Sequence, residues 1–153
     1  MAKAISQFFA DLGYPLRNPR WSWGAQTAAG ILLRAWSDEY AFKERKLRVL
    51  DFVDPCDPSE SVGLNERIVH LKALWEGGIA GYSVIATAED TNVSPRKILA
   101  YREDAVFALT RLEQNTSGDL IALVGDLVPI GALAQHAQTH RTLPGNGLFP
   151  GWS

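Results

Sequence analysis

Three of the five tryptophans of this chain lie between positions 21 and 36, with arginines on both sides of them. Indole rings stack on flat ligands such as nucleobases, and guanidinium groups contact phosphates or base edges. This combination of residue types therefore indicates a surface that binds nucleic acid. The predicted base-binding and ligand-binding residues are Trp21, Trp23, Trp36, Arg20, Arg34 and Arg96.

A second interpretation of the same tryptophans is a structural one. Aromatic side chains in small sheets usually pack into the core, and they bury large apolar areas there. Whether Trp21, Trp23 and Trp36 line an open pocket or fill a closed core is therefore the question on which the function depends. Trp75 lies in a helical stretch with Leu64, Ile68 and Leu71 at helical spacing, and we expect it in the core.

Catalytic chemistry has weaker support in the sequence. A metal-dependent nuclease needs acidic ligands near a lysine, and Asp38, Glu44 and Lys46 supply these types within a short polar connection. His136 and His140 are four residues apart, as in helical metal sites, but no carboxylate or cysteine accompanies them. We therefore predict no catalytic residue, no metal and no cofactor.

Composition limits the class of protein. The 153 residues suit one domain, and the single cysteine excludes an internal disulfide. The formal net charge is −2, yet residues 1–50 carry eight lysines and arginines against four acidic residues. The tryptophans thus lie in the positive part of the chain, which allows one basic face on an acidic protein. Neither a secretory signal nor a membrane-spanning run is present in this sequence, so we expect a cytoplasmic protein without membrane contact.

Two consecutive strands are predicted to carry the tryptophans, at residues 21–25 and 31–36. Alternation of side chains places Trp21 and Trp23 on one face of the first strand. In the second strand it places Leu32, Arg34 and Trp36 on one face. One face of this hairpin is therefore expected to hold the tryptophans together with an arginine.

The remaining pattern predicts an α+β fold with a small mixed or antiparallel β-barrel of about seven strands, two main helices and a short C-terminal helix. Glycine- and proline-rich composition after position 137 predicts a single domain at 1–137 and an extended tail at 138–153. His70 lies off the apolar stripe of the second helix, and we expect it to be exposed. The further predicted strands are 46–53, 81–88, 96–101, 106–112 and 119–124, and the predicted helices are 3–12, 64–76 and 129–137.

Residues 14–133 resemble the PUA-like superfamily of EVE, YTH, ASCH and SRA modules. The resemblance is based on the order of the predicted helices and strands and on three short stretches. They read Trp-Ser-Trp-Gly-Ala at 21–25, Leu-Arg-Ala-Trp at 33–36 and Gly-Tyr-Ser-Val-Ile at 81–85. The resemblance implies a small barrel that binds DNA or RNA and often holds a modified base in an aromatic pocket. Residues 21–25 and 94–98 are also similar to accessory regions of bacterial restriction-type proteins that carry HNH nuclease domains.

The sequence contains no HNH motif, so cleavage would require a separate nuclease partner. The prediction is therefore a non-catalytic nucleic-acid-binding module that reads a modified base. A metal-dependent nuclease and a protein-interaction or structural domain stand as the alternatives, and the oligomeric state stays open.

Overall fold

The computed structural model describes residues 4–18, 22–50, 61–92 and 97–150, with residues 61–63 described by their backbone alone. The α+β class is confirmed, because helices pack on a mixed sheet. In chain order the elements are α1 (Ile5–Asp11), β1 (Gly24–Thr27), β2 (Gly30–Trp36), β3 (Tyr40–Ala41), β4 (Lys46–Leu50), α2 (Ser61–Glu76), β5 (Gly81–Ala88), β6 (Ile98–Tyr101), β7 (Ala105–Gln114), β8 (Leu120–Pro129) and α3 (Leu133–Thr139).

The sheet has eight strands in the described residues, in the order β1-β2-β5-β7-β8-β4-β3, with β6 beside β5. Strands β2 and β5 run parallel, while the other pairs are antiparallel. The predicted closure into a barrel is wrong, since β1 and β3 end the order of the described strands. These edges are only four and two residues long, and short edge strands limit unwanted pairing without closure.

Two apolar cores lie on opposite faces of the sheet. In β2, Ile31 and Leu33 pack into the core with α2, whereas Leu32 packs into the core with α1 and α3. This alternation is the expected period of two along a strand. No helix in the described parts of the chain has the length and apolarity needed to cross a membrane.

Most of the predicted elements are present, with shifted ends. The first predicted strand, 21–25, is wrong at its start, because β1 begins at Gly24 and Trp23 precedes it. Strand β3 was not predicted, because its two residues are too short to show a period. Positions 1–3, 19–21, 51–60, 93–96 and 151–153, which include Trp21, Arg20 and Arg96, lie outside the described residues.

The segment that follows α3 packs along the end of α2. Backbone N–H groups of Thr142 and Gly145 donate to the carbonyls of Ile79 and Trp75, at 2.9 and 2.7 Å. The indole N–H of Trp75 donates to the carbonyl of Gly147 at 2.9 Å, and the ring meets Phe149 edge to face. A Cβ on Gly145 would overlap the Trp75 ring, so this close approach requires glycine. Trp75 is 5% exposed, which confirms its predicted core position.

Candidate functional site

Strands β1 and β2 bring Trp23 beside Arg34. Gly24 pairs with Leu33 in the antiparallel ladder, and the backbone N–H of Arg34 donates to the Trp23 carbonyl at 2.7 Å, one step further on. A Cβ on Gly24 would lie 2.8 Å from the Leu32 carbonyl oxygen, so only glycine allows the strands to approach this closely. The strand end is therefore fixed by backbone contacts.

Helix α2 contributes a second arginine to the same strand end. The Arg67 guanidinium donates from Nη2 to the Arg34 carbonyl at 2.5 Å and from Nη1 to the Trp23 carbonyl at 3.4 Å. Arg67 is 5% exposed. These bonds tie α2 to both strands at the edge of the sheet, and they fix the guanidinium in one orientation.

Trp23 and Trp36 each lie against a different guanidinium. The Arg34 Cζ is 5.2 Å from the centre of the Trp36 ring, and the Arg67 Cζ is 5.8 Å from that of Trp23. Both distances fall within the range of cation–π attraction. Both tryptophans are half-buried, so neither the fully closed core nor a fully exposed surface describes them.

Two further polar side chains of α2 complete the site. The Ser22 hydroxyl donates to Glu66 Oε2 at 3.3 Å and accepts the Asn18 backbone N–H at 3.0 Å, which connects the segment before β1 to the helix. His70 follows Arg67 by three residues and is 5% exposed. We call Trp23, Arg34, Trp36, Glu66, Arg67 and His70 the arginine cluster.

Burial and charge shift the ionisation of this cluster. The pKa of Arg67 is lowered to about 9 by burial, the largest cause, and by the positive charge of Arg34, while the negative charge of Glu66 opposes both. The pKa of His70 is lowered to about 4 by burial first and by the charge of Arg67 second. At neutral pH the site therefore holds a cationic Arg67 beside a neutral imidazole.

Comparison with known proteins adds no identity to this geometry. No family model, curated protein or solved structure matches the chain. The resemblance to the PUA-like superfamily therefore stays a prediction, and the site has to be interpreted from its own residues.

The structure brings together three of the predicted ligand residues, namely Trp23, Arg34 and Trp36. The others, Trp21, Arg20 and Arg96, lie outside the described residues.

Sequence reasoning missed Arg67 and was wrong about His70, which is buried instead of exposed. A signal for Arg67 exists in the sequence. It stands three residues after Leu64 and four before Leu71, which places a charge inside the apolar stripe of the helix.

The residues of the predicted nuclease alternative do not form a compact acidic group. Asp38 lies in a short 3₁₀ turn, Glu44 is exposed in the following turn, and Lys46 Nζ pairs with Glu113 at 3.2 Å. Within the described residues, no group of three or more His, Cys, Asp or Glu side chains is arranged to hold a metal ion. No observation here favours metal-dependent cleavage over binding.

His136 and His140 do meet, but around a tyrosine. The Tyr82 hydroxyl shares a hydrogen bond of 2.8 Å with His136 Nδ1, and His140 Nε2 lies 2.9 Å from the Leu109 carbonyl oxygen. The two imidazole centres are 4.9 Å apart, and Tyr82 is fully buried. We call these three residues the histidine cluster; its hydrogen bonds tie α3 to the sheet.

Proposed function

We propose that this protein is a nucleic-acid-binding module that does not cut its ligand, and that the arginine cluster reads a base, a modified base in particular. The observation that carries the proposal is the pair of half-buried tryptophans, each within 6 Å of a guanidinium group. Stacking on an aromatic ring contributes about 1–3 kcal/mol per base. Guanidinium groups at the same edge of the sheet supply the contacts to phosphates or base edges.

Partial burial supports this use of Trp23 and Trp36. A fully buried indole has no face left for a ligand, and a fully exposed one loses more side-chain freedom when it binds. Contact with Arg34 or Arg67 holds each ring in place while part of it stays accessible. The positive balance of residues 1–50, which include β1 and β2, favours a polyanionic ligand.

The proposal extends to the setting of the protein. On its composition we place the protein in the cytoplasm. Any cleavage that follows recognition would come from a separate nuclease protein, since the function proposed for this chain is binding alone.

Titration of the protein with single-stranded DNA and RNA oligonucleotides, with and without a methylated base, tests the proposal. Tryptophan fluorescence at low salt is the readout, because phosphate contacts weaken as salt rises. We expect saturable binding, and replacement of Trp36 by alanine (Trp36→Ala) should weaken it by about 1–3 kcal/mol. Phe42→Ala is the matched control, since Phe42 is an aromatic residue that is 80% exposed outside the cluster.

Two results would overturn the proposal. One is unchanged fluorescence and no binding in an independent assay, such as electrophoretic mobility, at low salt. The other is an equal loss of affinity in Trp36→Ala and Phe42→Ala, which would show that binding does not depend on the arginine cluster. A preference for methylated over unmodified oligonucleotides would support base reading, and equal affinity for both would reject the modified base.

A further inference from the structure

Helix α2 buries two polar side chains, Arg67 and His70, on a side of the helix that otherwise packs into the apolar core, and the half-buried Glu66 lies beside them. Glu66 and Arg67 bond Ser22 and Trp23 just before β1, and the next turns of the same helix bury Leu71, Leu74 and Trp75 in the core. Arg67 and His70 are three residues apart and are each 5% exposed, so both project from one side of the helix into the protein. The polar patch is therefore part of a buried surface.

This patch has hydrogen-bonding atoms that no side chain or backbone group in residues 4–18, 22–50, 61–92 and 97–150 pairs with. Arg67 Nε, His70 Nδ1 and Glu66 Oε1 are buried and have no hydrogen-bond partner among the described residues. Buried polar groups in native proteins are nearly always paired, and each unpaired group in a native structure requires an explanation. Glu66 Oε1 is an acceptor that lacks a donor, whereas Arg67 Nε and, in one tautomer, His70 Nδ1 are donors that lack an acceptor. The two nitrogen atoms, three residues apart on one helix, therefore indicate a missing acceptor.

The charge of the patch defines that partner. Arg67 is more strongly affected by the positive charge of Arg34 than by the negative charge of Glu66. A buried guanidinium that is repelled by a neighbouring arginine more than it is attracted by a neighbouring carboxylate is stabilised when it binds an anion. His70 is held neutral, so in one tautomer its Nδ1–H donates a hydrogen bond without adding charge.

The geometry of Arg67 is suited to this role. Its Nη1 and Nη2 atoms are engaged with the carbonyls of Trp23 and Arg34, which fixes the plane of the guanidinium group. The Nε–H is consequently presented in one direction without further ordering of the side chain. A donor that is already ordered binds more tightly than a flexible one.

We propose that Arg67 Nε–H and His70 Nδ1–H form an oxyanion subsite that takes a phosphate group. This inference rests on the proposed function, in which the phosphate is a phosphodiester of the bound nucleic acid. A free phosphate monoester offers the same oxygens, and the experiment separates the two sources. Because the Trp23 ring lies over the Arg67 guanidinium, occupancy of the subsite changes the surroundings of both groups.

The experiment follows the Arg67 side-chain Nε–H resonance of the full chain by NMR. Inorganic phosphate, a nucleoside 5′-monophosphate and a dinucleotide with one internal phosphodiester are titrated separately at constant ionic strength, with chloride as the reference anion. We expect saturable shifts of the Arg67 resonance with phosphate-containing ligands and none with chloride. A larger response to the dinucleotide assigns the site to the backbone of nucleic acid, and a larger response to the monophosphate assigns it to a free phosphate group.

Variants provide the second arm. Arg67→Lys keeps the charge but removes the Nε–H donor, and we expect about a ten-fold or greater loss of phosphate affinity. His70→Gln should give a smaller loss. Arg111→Gln is the matched control, because Arg111 donates to the Pro144 carbonyl away from this patch, and its phosphate affinity should be unchanged. If the Arg67 variants do not fold, the wild-type resonance decides alone.

The outcomes distinguish this inference from the function on which it rests. Oligonucleotide binding that depends on Trp36 but leaves the Arg67 resonance unmoved would overturn the subsite and preserve the proposed function. Phosphate binding at Arg67 without any oligonucleotide binding would overturn the function and preserve the subsite. If none of the three phosphate ligands shifts the Arg67 Nε–H resonance of the wild-type protein, the subsite is overturned directly.

Discussion

The histidine cluster and the arginine cluster both contain buried polar side chains, but they differ in how these groups are paired. In the histidine cluster the Tyr82 hydroxyl bonds His136, and His140 bonds a backbone carbonyl. In the arginine cluster Arg67 bonds two carbonyls, but its Nε and His70 Nδ1 have no hydrogen-bond partner in the part of the chain that the structure describes. Among the described residues, the buried polar atoms of the first network are all paired, whereas those of the second are not.

The difference in hydrogen-bond pairing suggests that the histidine cluster stabilises the fold and that the arginine cluster binds a ligand. A complete network rigidifies the fold, and loss of one member costs stability alone. An incomplete network reduces the stability of the free protein, because a desolvated donor without a partner is unfavourable. A ligand that supplies the missing acceptor recovers this free energy, which makes the arginine cluster the better candidate for a binding site.

Ligand-linked stability should show the largest difference between the clusters. An oligonucleotide at about 100 times its Kd should raise the free energy of unfolding by about 2.7 kcal/mol. If Arg67→Lys raises the Kd about ten-fold, the gain at the same concentration falls to about 1.4 kcal/mol. Tyr82→Phe should keep the full gain. Urea unfolding with and without oligonucleotide provides the measurement.

If Tyr82→Phe lost as much of this gain as Arg67→Lys, ligand binding would not belong to the arginine cluster in particular. Trp36→Ala removes a stacking surface without altering Arg67 or His70 of α2. It should lower the affinity for the oligonucleotide, and therefore also the rise in the free energy of unfolding that the oligonucleotide produces.

Acid should destabilise the protein through its buried histidines. The pKa of His70 is about 6.5 in the unfolded chain and about 4 in the folded one, so its neutral form is favoured by folding. This contribution is complete above pH 6.5 and is lost as the pH falls towards 4, by roughly 2 kcal/mol. Burial also lowers the pKa of His140, which adds in the same direction. Unfolding by urea at pH 7 and pH 4.5 measures the sum.

Single substitutions measure how much each cluster contributes to the pH dependence of the free energy of unfolding. His70→Gln should remove the larger part of it, since burial and the charge of Arg67 lower the pKa of His70 to about 4. His140→Gln should remove the smaller part. An unchanged pH profile in His70→Gln would contradict the burial of a neutral imidazole in the arginine cluster.

Much of the fold follows from local pattern in the sequence. Alternation in β2 correctly separated Ile31 and Leu33 from Leu32, because each face of the strand meets a different core. The closed barrel was wrong because closure depends on contacts between distant edges, and no local pattern encodes them. Strand β3 is held by pairing with β4 alone, so its two residues carry no signal of their own.

The site was predictable only where it lies on the strands. Trp23, Arg34 and Trp36 stood out by residue type. The Arg34 N–H bonds the Trp23 carbonyl at the end of the β1–β2 ladder, and Trp36 pairs with Ala86 of β5. Arg67 and His70 were missed because a charged residue in a helix is normally solvated, and its burial depends on the strand end that it meets in space. Arg67 can be buried because it donates to the backbone carbonyls of Trp23 and Arg34, and the pattern of side chains in the sequence does not predict contacts to backbone groups.

The smallest expected effect concerns the histidine cluster itself. Tyr82→Phe removes one hydroxyl and leaves His136 Nδ1 without its 2.8 Å partner, while the ring keeps its place in the core. A neutral hydrogen bond contributes about 1 kcal/mol, so we expect a loss of about that size in the free energy of unfolding. Oligonucleotide affinity should not change, because the hydroxyl bonds a residue of α3 rather than of the arginine cluster. Loss of affinity with unchanged stability would reverse the roles assigned to the two clusters, and it would place the ligand against α3.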